Sequence, residues 1–247
     1  MKDIIPYYKK RGETPKAALL RLRSERPALK DETLSYAGRL DPLAEGLLLV
    51  LVGEANQERE KYLGLPKIYQ VEVLFGWSTD TYDIAGKLTD ASPSRIQPLR
   101  LIEVVKELEG EREEPYPPYA SKPVDGKPLF MWAREGKLDE ITIPTHTVTN
   151  KKVALQKTKT TSNDALYAYV EHSLELVQGD FRQDEIWGCW EDNLKRMYGH
   201  TYDIVVLEVE CESGAYMRSL AHMLGEKLGI PALALSIKRT KVGEFSL

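Results

Sequence analysis

The chain has 247 residues, of which 42% are hydrophobic and 29% are charged. This composition is typical of a globular protein, and it excludes a disordered, collagen-like or coiled-coil chain. The formal charge of −4 argues weakly against a nucleic-acid-binding protein, because such domains usually carry a basic excess.

Charge is unevenly distributed along the chain. Residues 1–40 contain ten Lys and Arg against five Asp and Glu, whereas residues 171–196 contain three against seven. A local basic face can attract a polyanion whatever the total charge. We therefore expect a basic cleft face with the acidic segment away from it. The alternative is that both segments are ordinary solvated surfaces.

The predicted elements alternate irregularly along the chain. Helices are predicted at residues 15–26, 99–109 and 216–228, and strands at residues 47–52, 69–75, 167–170 and 204–211. In the last helix four apolar residues share one face, and Gly229 follows where a glycine often ends a helix. Residues 111–125, which are rich in proline, and residues 141–163 are predicted to be loops. This order favours an α+β fold with a mixed sheet in a single domain.

Several classes of protein and of site are disfavoured. The longest apolar run, residues 47–52, is far short of the ~20 residues that cross a bilayer. The first residues lack the apolar core of a signal peptide. Cys189, Cys211 and the four histidines show no metal-ligand spacing, and the two thiols are expected to be buried and free. Phosphate-binding glycine loops and the HExxH and GxSxG motifs are missing. We therefore expect a cytoplasmic protein without a cofactor, a metal or a membrane span.

A glycine-bracketed loop stands directly before the first predicted buried strand. It contains the Asp41-Pro42 step between Gly38 and Gly46, and proline biases the preceding residue away from helical geometry. Asp41 is thus a candidate for a positioned carboxylate. The alternative is an Asx turn, since Asp before Pro is common in turns.

Two further clusters carry candidate residues. Arg218 is in the first turn of a predicted helix, where a cation opposes the helix dipole, so a carboxylate partner is expected. A solvent-exposed arginine is the alternative. Tyr69 is at the start of a predicted strand after Lys67, and its alternative role is to pack its ring on the core.

These clusters, in this order, resemble the TruB family of RNA pseudouridine synthases. Residues 38–46 resemble its G-x-L-D-P-x-A-x-G loop, residues 67–69 its K-x-Y, and residues 76–86 its G-x-x-T-x-T-x-D-x-x-G. Residues 117–136 resemble its PP-x-Y…G-K…A-R-E-G stretch, residues 213–218 its S-x-G-T-Y-I-R, and residues 237–245 its closing L-R-R-T…G-x-F. The resemblance runs from about residue 9 to the end of the chain.

The resemblance implies the pseudouridine synthase fold and an isomerase that converts uridine to pseudouridine in RNA, most typically in the T-loop of tRNA. It implies a mainly antiparallel central sheet and an RNA-gripping thumb at about residues 111–150. Asp41 would be the catalytic carboxylate and Arg218 its partner. Tyr69 would stack on the uracil and help proton transfer at the ribose. Tyr216 and Ile237 would line the pocket. Lys67 and Arg239 would support the loop or contact phosphates.

Cations in several segments are expected to bind backbone phosphates of the RNA. These cations are Lys9, Arg11, the lysines of residues 151–159 and those of residues 238–241. The target base would have to flip out of its stack. We expect a monomer whose partner is RNA and which has no membrane partner.

The chain also departs from the family pattern. Tyr36 and Arg39 replace the usual His and Thr near the loop, and His222 and Met223 replace a pair of acids. Residues 171–200 resemble an acidic insertion, and we expect a chain without a C-terminal PUA domain.

Two other functions remain open from the sequence. One is a non-catalytic RNA-binding or RNA-folding protein that keeps the fold. The other is a small-molecule lyase or hydrolase with an aspartate nucleophile.

Overall fold

The computed structural model describes residues 2–246. Its strands are β1 (Lys2–Lys9), β2 (Leu34–Ala37), β3 (Ala44–Gly53), β4 (Lys67–Phe75), β5 (Trp77–Thr79), β6 (Leu88–Ala91), β7 (Gly110–Pro115), β8 (Pro123–Val124), β9 (Lys127–Pro128), β10 (Thr145–Ser162), β11 (Thr201–Cys211), β12 (Ala232–Val242) and β13 (Phe245–Ser246). Its α-helices are α1 (Pro15–Glu25), α2 (Arg59–Leu63), α3 (Pro98–Glu107), α4 (Leu129–Arg134), α5 (Asn163–Leu176), α6 (Gln183–Arg196) and α7 (Met217–Leu228).

One large mixed sheet organises the described residues. Its strand order is β1-β3-β12-β4-β11-β10-β7, with β2 paired to β3 and β13 paired to β12. Strand β12 runs parallel to β3 and antiparallel to β4. The α+β fold with a mixed, mainly antiparallel sheet is therefore confirmed.

Most of the predicted elements are confirmed because their local patterns are strong. Residues 47–52 are buried on both faces of β3, as a continuous apolar run requires. Helix α7 buries the face of Met217, Leu220, Ala221 and Leu224 against the sheet. Gly229 ends this helix with φ +68°, in the left-handed region that glycine adopts readily.

Three predicted segments are wrong. Residues 167–170 are helical rather than a strand, because they lie inside α5, whose first turn is capped by the Ser162 hydroxyl. Residues 141–163 are mostly the strand β10, whose many threonines suit a pleated sheet. The proline-rich loop begins only after β7, which covers residues 110–115.

Cys211 is buried as expected, but Cys189 is only half-buried.

Helices α5 and α6 form a helical hairpin, residues 163–196, that includes the acidic segment, residues 171–196. Trp190 of this hairpin packs on Trp77, with ring centroids 5.2 Å apart, and donates from its indole nitrogen to the Gly86 carbonyl. Trp77 also contacts Tyr202 of β11. The hairpin is thus part of the packed core. No helix within residues 2–246 is long and apolar enough to cross a membrane.

Candidate active site

Asp41 and Arg218 form an ion pair at the end of the sheet. Asp41 lies in the turn between β2 and β3, and Arg218 lies in the first turn of α7. The Arg218 Nε donates to the Asp41 Oδ2 at 2.7 Å, and its Nη1 donates to the Thr81 carbonyl at 2.6 Å. The Arg218 side chain is 4% exposed and that of Asp41 is 35% exposed. The expected carboxylate partner is therefore present, and one side of Asp41 remains open to a substrate.

Two buried cations stabilise the loop that carries Asp41 by binding its backbone carbonyls. Arg239 donates from Nε to the Leu47 carbonyl at 2.7 Å and from Nη2 to the Gly38 carbonyl at 3.0 Å. Lys9 donates from Nζ to the carbonyls of Ala44 at 2.5 Å and Pro42 at 3.1 Å. These bonds fix both ends of the loop, so the Asp41 backbone is set before any substrate binds.

A glycine allows the loop to enter the sheet beside β12. Gly46 has φ +108°, and a Cβ at this position would lie 2.2 Å from the Arg239 carbonyl oxygen. Only a residue without a side chain lets β3 approach β12 this closely.

Burial of Lys9 and Lys67 argues against a phosphate contact at either lysine and, for Lys67, favours the alternative role of loop support. The Lys9 side chain is fully buried, and Lys67 is 5% exposed with its ammonium bound to the Leu63 and Leu65 carbonyls. Burial lowers the pKa of each lysine to about 8. Arg239 is likewise buried, so of the two expected roles it fits loop support rather than phosphate contact.

Asp41 lines an open cavity of about 420 Å³. Tyr69, Tyr216 and Ile237 line it, as do Arg39 and Tyr36. We call it the Tyr69 cavity. Burial raises the pKa of the Tyr69 hydroxyl and of the Tyr216 hydroxyl. The structure thus brings the predicted pocket residues to one place, with two aromatic rings and an aliphatic side chain around the carboxylate.

Asp83 is a second carboxylate at the site, and the sequence reasoning gave it no role. Its Oδ2 lies 3.8 Å from the Arg218 Nε, and its Oδ1 accepts from the Thr81 hydroxyl and the Ala85 amide. Burial raises the pKa of Asp83 to about 6. The sequence feature that could have identified Asp83 is its position in the 76–86 motif.

Residues 111–150 reach over the site. After β7 the chain passes Tyr119 and Ser121, then forms the β8–β9 turn and α4 before it returns in β10. Tyr119 donates its hydroxyl to Asp80 Oδ2 at 2.7 Å, and Arg39 donates to the Ser121 hydroxyl. Tyr119 and Ser121 both line the Tyr69 cavity.

The acidic segment is not away from the cleft. The turn between α5 and α6 borders a second cavity that also reaches Asp41, and the Gln178 amide donates to the Gly12 carbonyl. Gly12 in turn donates its amide to the Pro42 carbonyl at 2.9 Å. The expectation of a separate acidic surface is wrong because the hairpin packs directly behind the Asp41 loop.

Arg11 and two of the β10 lysines, which were also expected to contact phosphates, have partners within the protein. Arg11 donates to the Ser173 hydroxyl and lies over the Tyr169 ring. Lys151 and Lys159 form ion pairs with Glu212 and Glu72, but they remain partly exposed on β10. Among residues 2–246, no group of three or more His, Cys, Asp or Glu side chains is placed to hold a metal ion.

The sequence of the chain matches a known protein family. Residues 26–176 match the family model described as TruB family pseudouridylate synthase, N-terminal domain. The chain is 31% identical to tRNA pseudouridine synthase B of Aquifex aeolicus over 89% of its own length and 62% of that protein's length. It is 30% identical to the protein of that name from Thermosipho melanesiensis, over 100% of this chain and 66% of that one.

The fold has solved counterparts. A crystal structure of a Cbf5-Nop10-Gar1 complex superposes with a TM-score of 0.59 at 18% identity, over 98% of this chain and 49% of that chain. An H/ACA RNP bound to a substrate RNA gives a TM-score of 0.55 at 18% identity, over 98% and 48%. At this identity the likeness concerns the fold alone. The family match covers more than half of the chain, and this protein therefore belongs to the TruB family of pseudouridylate synthases.

Proposed function

We propose that this protein isomerises uridine to pseudouridine in RNA, with the T-loop uridine of tRNA as its target. The observation that carries the proposal is the Asp41–Arg218 ion pair in the lining of the Tyr69 cavity. Membership of the TruB family and the names of the relatives support it. The chain spans about two thirds of the length of those relatives, 62% and 66%.

The reaction needs few groups. The N1–C1′ bond of uridine breaks, the uracil turns, a C5–C1′ bond forms, and the proton on C5 is lost while N1 gains one. No atom or electron is gained overall. What the reaction requires is a carboxylate near C1′, either as a nucleophile or as a base toward the ribose, and walls that hold the uracil while it turns.

The described residues meet these requirements. Asp41 offers the exposed oxygen, and Arg218 fixes its rotamer from the buried side, since a charge-assisted bond is directional. Tyr69 stacks on the uracil, and Tyr216 and Ile237 close the cavity around it. Arg239 and Lys9 act through the loop backbone and not on the substrate.

The target base must leave its stack to reach a carboxylate at the bottom of a cavity, so the RNA is bound with the uridine flipped out. Residues 111–150 serve as the thumb that closes over it, since Tyr119 and Ser121 already contact the body of the protein near Asp41. Residues 171–200, which cover the end of α5 and all of α6, are the insertion that we propose for this chain.

The test is to incubate the purified protein with an unmodified tRNA transcript and with a T-arm hairpin. Pseudouridine is detected by carbodiimide labelling and primer extension. We expect one modified position, in the T-loop, in both RNAs. A protein that binds the RNA and modifies neither would instead support a non-catalytic RNA-binding role. Mapping pseudouridine in total RNA from a strain without the gene then separates tRNA targets from rRNA and mRNA targets.

A further inference from the structure

Asp41 is shared by two cavities. The Asp41 carboxylate lines the Tyr69 cavity and also a second cavity of about 360 Å³. Arg39, Tyr119, Ser121 and Arg218 also belong to both. We call the second one the hairpin cavity, because residues 174–183 at the α5–α6 turn form one of its walls. A polymer bound in the first cavity therefore has a direct path into the second.

The hairpin cavity combines flat apolar walls with cations. Phe130 and Phe181 face it from α4 and from the hairpin, together with Tyr119. Arg134 lies over the Phe181 ring at 6.0 Å, and Arg182 lies over the Tyr119 ring at 4.8 Å. Four arginines and three aspartates line the cavity, and Arg218 pairs with one of those aspartates, Asp41. Aromatic faces with adjacent guanidinium groups are the environment that binds unstacked nucleotides.

The wall that the hairpin contributes is fixed rather than loose. Arg182 takes the left-handed conformation, with φ +65° at the start of α6, which is uncommon for a residue with a side chain. Its guanidinium donates to Asp80 Oδ2 at 3.1 Å, where the Tyr119 hydroxyl also donates. Arg134 of α4 donates to the Asp180 carbonyl. These contacts join the hairpin, the 76–86 motif and residues 111–150 around one space.

The volume suits one nucleotide. Ligand pockets typically measure about 300–1,000 Å³, and about 360 Å³ admits a base with part of its ribose and phosphate. A second uridine undergoing reaction is not the occupant, because Tyr69, Tyr216 and Ile237 line the other cavity.

We propose that the hairpin cavity binds the unpaired nucleotide next to the target uridine, so that the helical hairpin helps to select the RNA. This inference rests on the proposed function. It assigns to the hairpin a contact with the RNA strand at the reacting site, rather than a remote acidic surface.

The test uses T-arm hairpin RNAs in which the nucleotide on the 5′ or the 3′ side of the target uridine is abasic. We expect one of the two abasic RNAs to lose about tenfold in kcat/KM with the wild-type protein, the scale that stacking of one base provides. Phe181→Ala should lose about as much kcat/KM on the intact RNA. On that abasic RNA the substitution should cause little further loss, because the contact between the base and the Phe181 ring is already absent there.

Arg134→Gln provides a second variant, from the opposite wall, in case Phe181→Ala unfolds. Tyr198→Ala is the matched control, because Tyr198 follows α6 but is 77% exposed. It should behave as the wild type. Thermal melting checks that each variant is folded.

The proposal is overturned if the wild-type protein treats both abasic RNAs like the intact one. It is also overturned if folded Phe181→Ala and Arg134→Gln keep the full penalty for the abasic RNA. Dissociation constants on the same RNAs give the same comparison without turnover. Absence of pseudouridine with every RNA would therefore contradict the proposed function, while the binding data still decide for or against the hairpin cavity.

Discussion

The Arg218 guanidinium bonds Asp41 across 177 positions of sequence, with its Nε 2.7 Å from the Asp41 Oδ2. The same guanidinium donates to the Thr81 carbonyl and lies 3.8 Å from the Asp83 carboxylate. One buried cation thus joins the Asp41 loop, the 76–86 motif and α7. The position of the carboxylate is a property of the whole fold rather than of its own turn.

Arg218→Lys is expected to lower kcat by at least about a hundredfold in a protein that remains folded. A lysine keeps the charge but cannot donate to Asp41 and to the Thr81 carbonyl in the same planar geometry, and a misplacement of about 1 Å is enough for such a loss. Single-turnover kinetics on a T-arm hairpin measures it. Near-wild-type turnover by this variant would show that the reaction does not need the planar guanidinium with its two donors.

Arg218→Met is expected to lower the free energy of unfolding by about 3–5 kcal/mol, because it leaves buried carboxylate charge without its partner. Adding Asp83→Asn should recover part of the stability and none of the activity. Urea unfolding of the single and double variants tests this. Equal stabilities for the two would contradict the assignment of Asp83 as a partner.

Tyr69 offers a separation of stacking from proton transfer. Tyr69→Phe keeps the ring, so KM should change little, whereas kcat should fall by about a hundredfold if the hydroxyl assists proton transfer. Tyr69→Leu, the matched control without an aromatic face, should also weaken RNA binding. Steady-state kinetics with both variants distinguishes the two roles. An unchanged kcat in Tyr69→Phe would show that the hydroxyl has no role in proton transfer.

Asp83 is expected to make folding stability fall as pH rises. Burial raises its pKa to about 6 from the ordinary 3.8, so between these values the folded protein holds a proton that the unfolded chain has released. The contribution is complete below about pH 4 and is lost as pH rises through about 6, by at most about 3 kcal/mol.

The measurement is the free energy of unfolding of wild type and Asp83→Asn at several pH values between 4 and 7. The difference, wild type minus variant, should become less favourable across this window, because the asparagine does not titrate. A difference independent of pH would show that Asp83 has the same pKa in both states.

Gly46→Ala is expected to destabilise the protein strongly. The added Cβ would meet the Arg239 carbonyl at 2.2 Å and force β3 away from β12. Gly136→Ala is the control, because Gly136 also has a positive φ, +68°, but a Cβ there has no atom within 4 Å. The control should cost about 1 kcal/mol of backbone strain, and thermal or urea unfolding should show a clearly larger loss for Gly46→Ala. Equal losses would contradict the close approach.

The sequence predicted what local pattern can encode. The apolar run 47–52, the alternation at 69–75 and the helical face of Met217 to Leu224 each carry their own period. Arg218 carried a further signal, because a cation at a helix start calls for a partner. Helix α5 was missed because four residues, 167–170, were too short a window to show its period.

Tertiary structure decided what the sequence could not show. A lysine is expected in solvent, yet Lys9 is buried where three carbonyl oxygens converge, and those carbonyls meet only in the folded chain. The acidic composition of residues 171–196 suggested a surface away from the cleft, but Trp190 and Ile186 anchor the hairpin in the core beside it. Asp83 owes its raised pKa to burial, which no local pattern reports.

The most direct test of the central claim is pseudouridine formation by Asp41→Asn. This variant keeps the size of the side chain and removes the charged oxygen that faces the Tyr69 cavity. We predict that a folded Asp41→Asn protein binds a T-arm transcript with affinity near that of the wild type and forms no detectable pseudouridine. Wild-type turnover by this variant would contradict the account, because the reaction would then not depend on the Asp41 carboxylate.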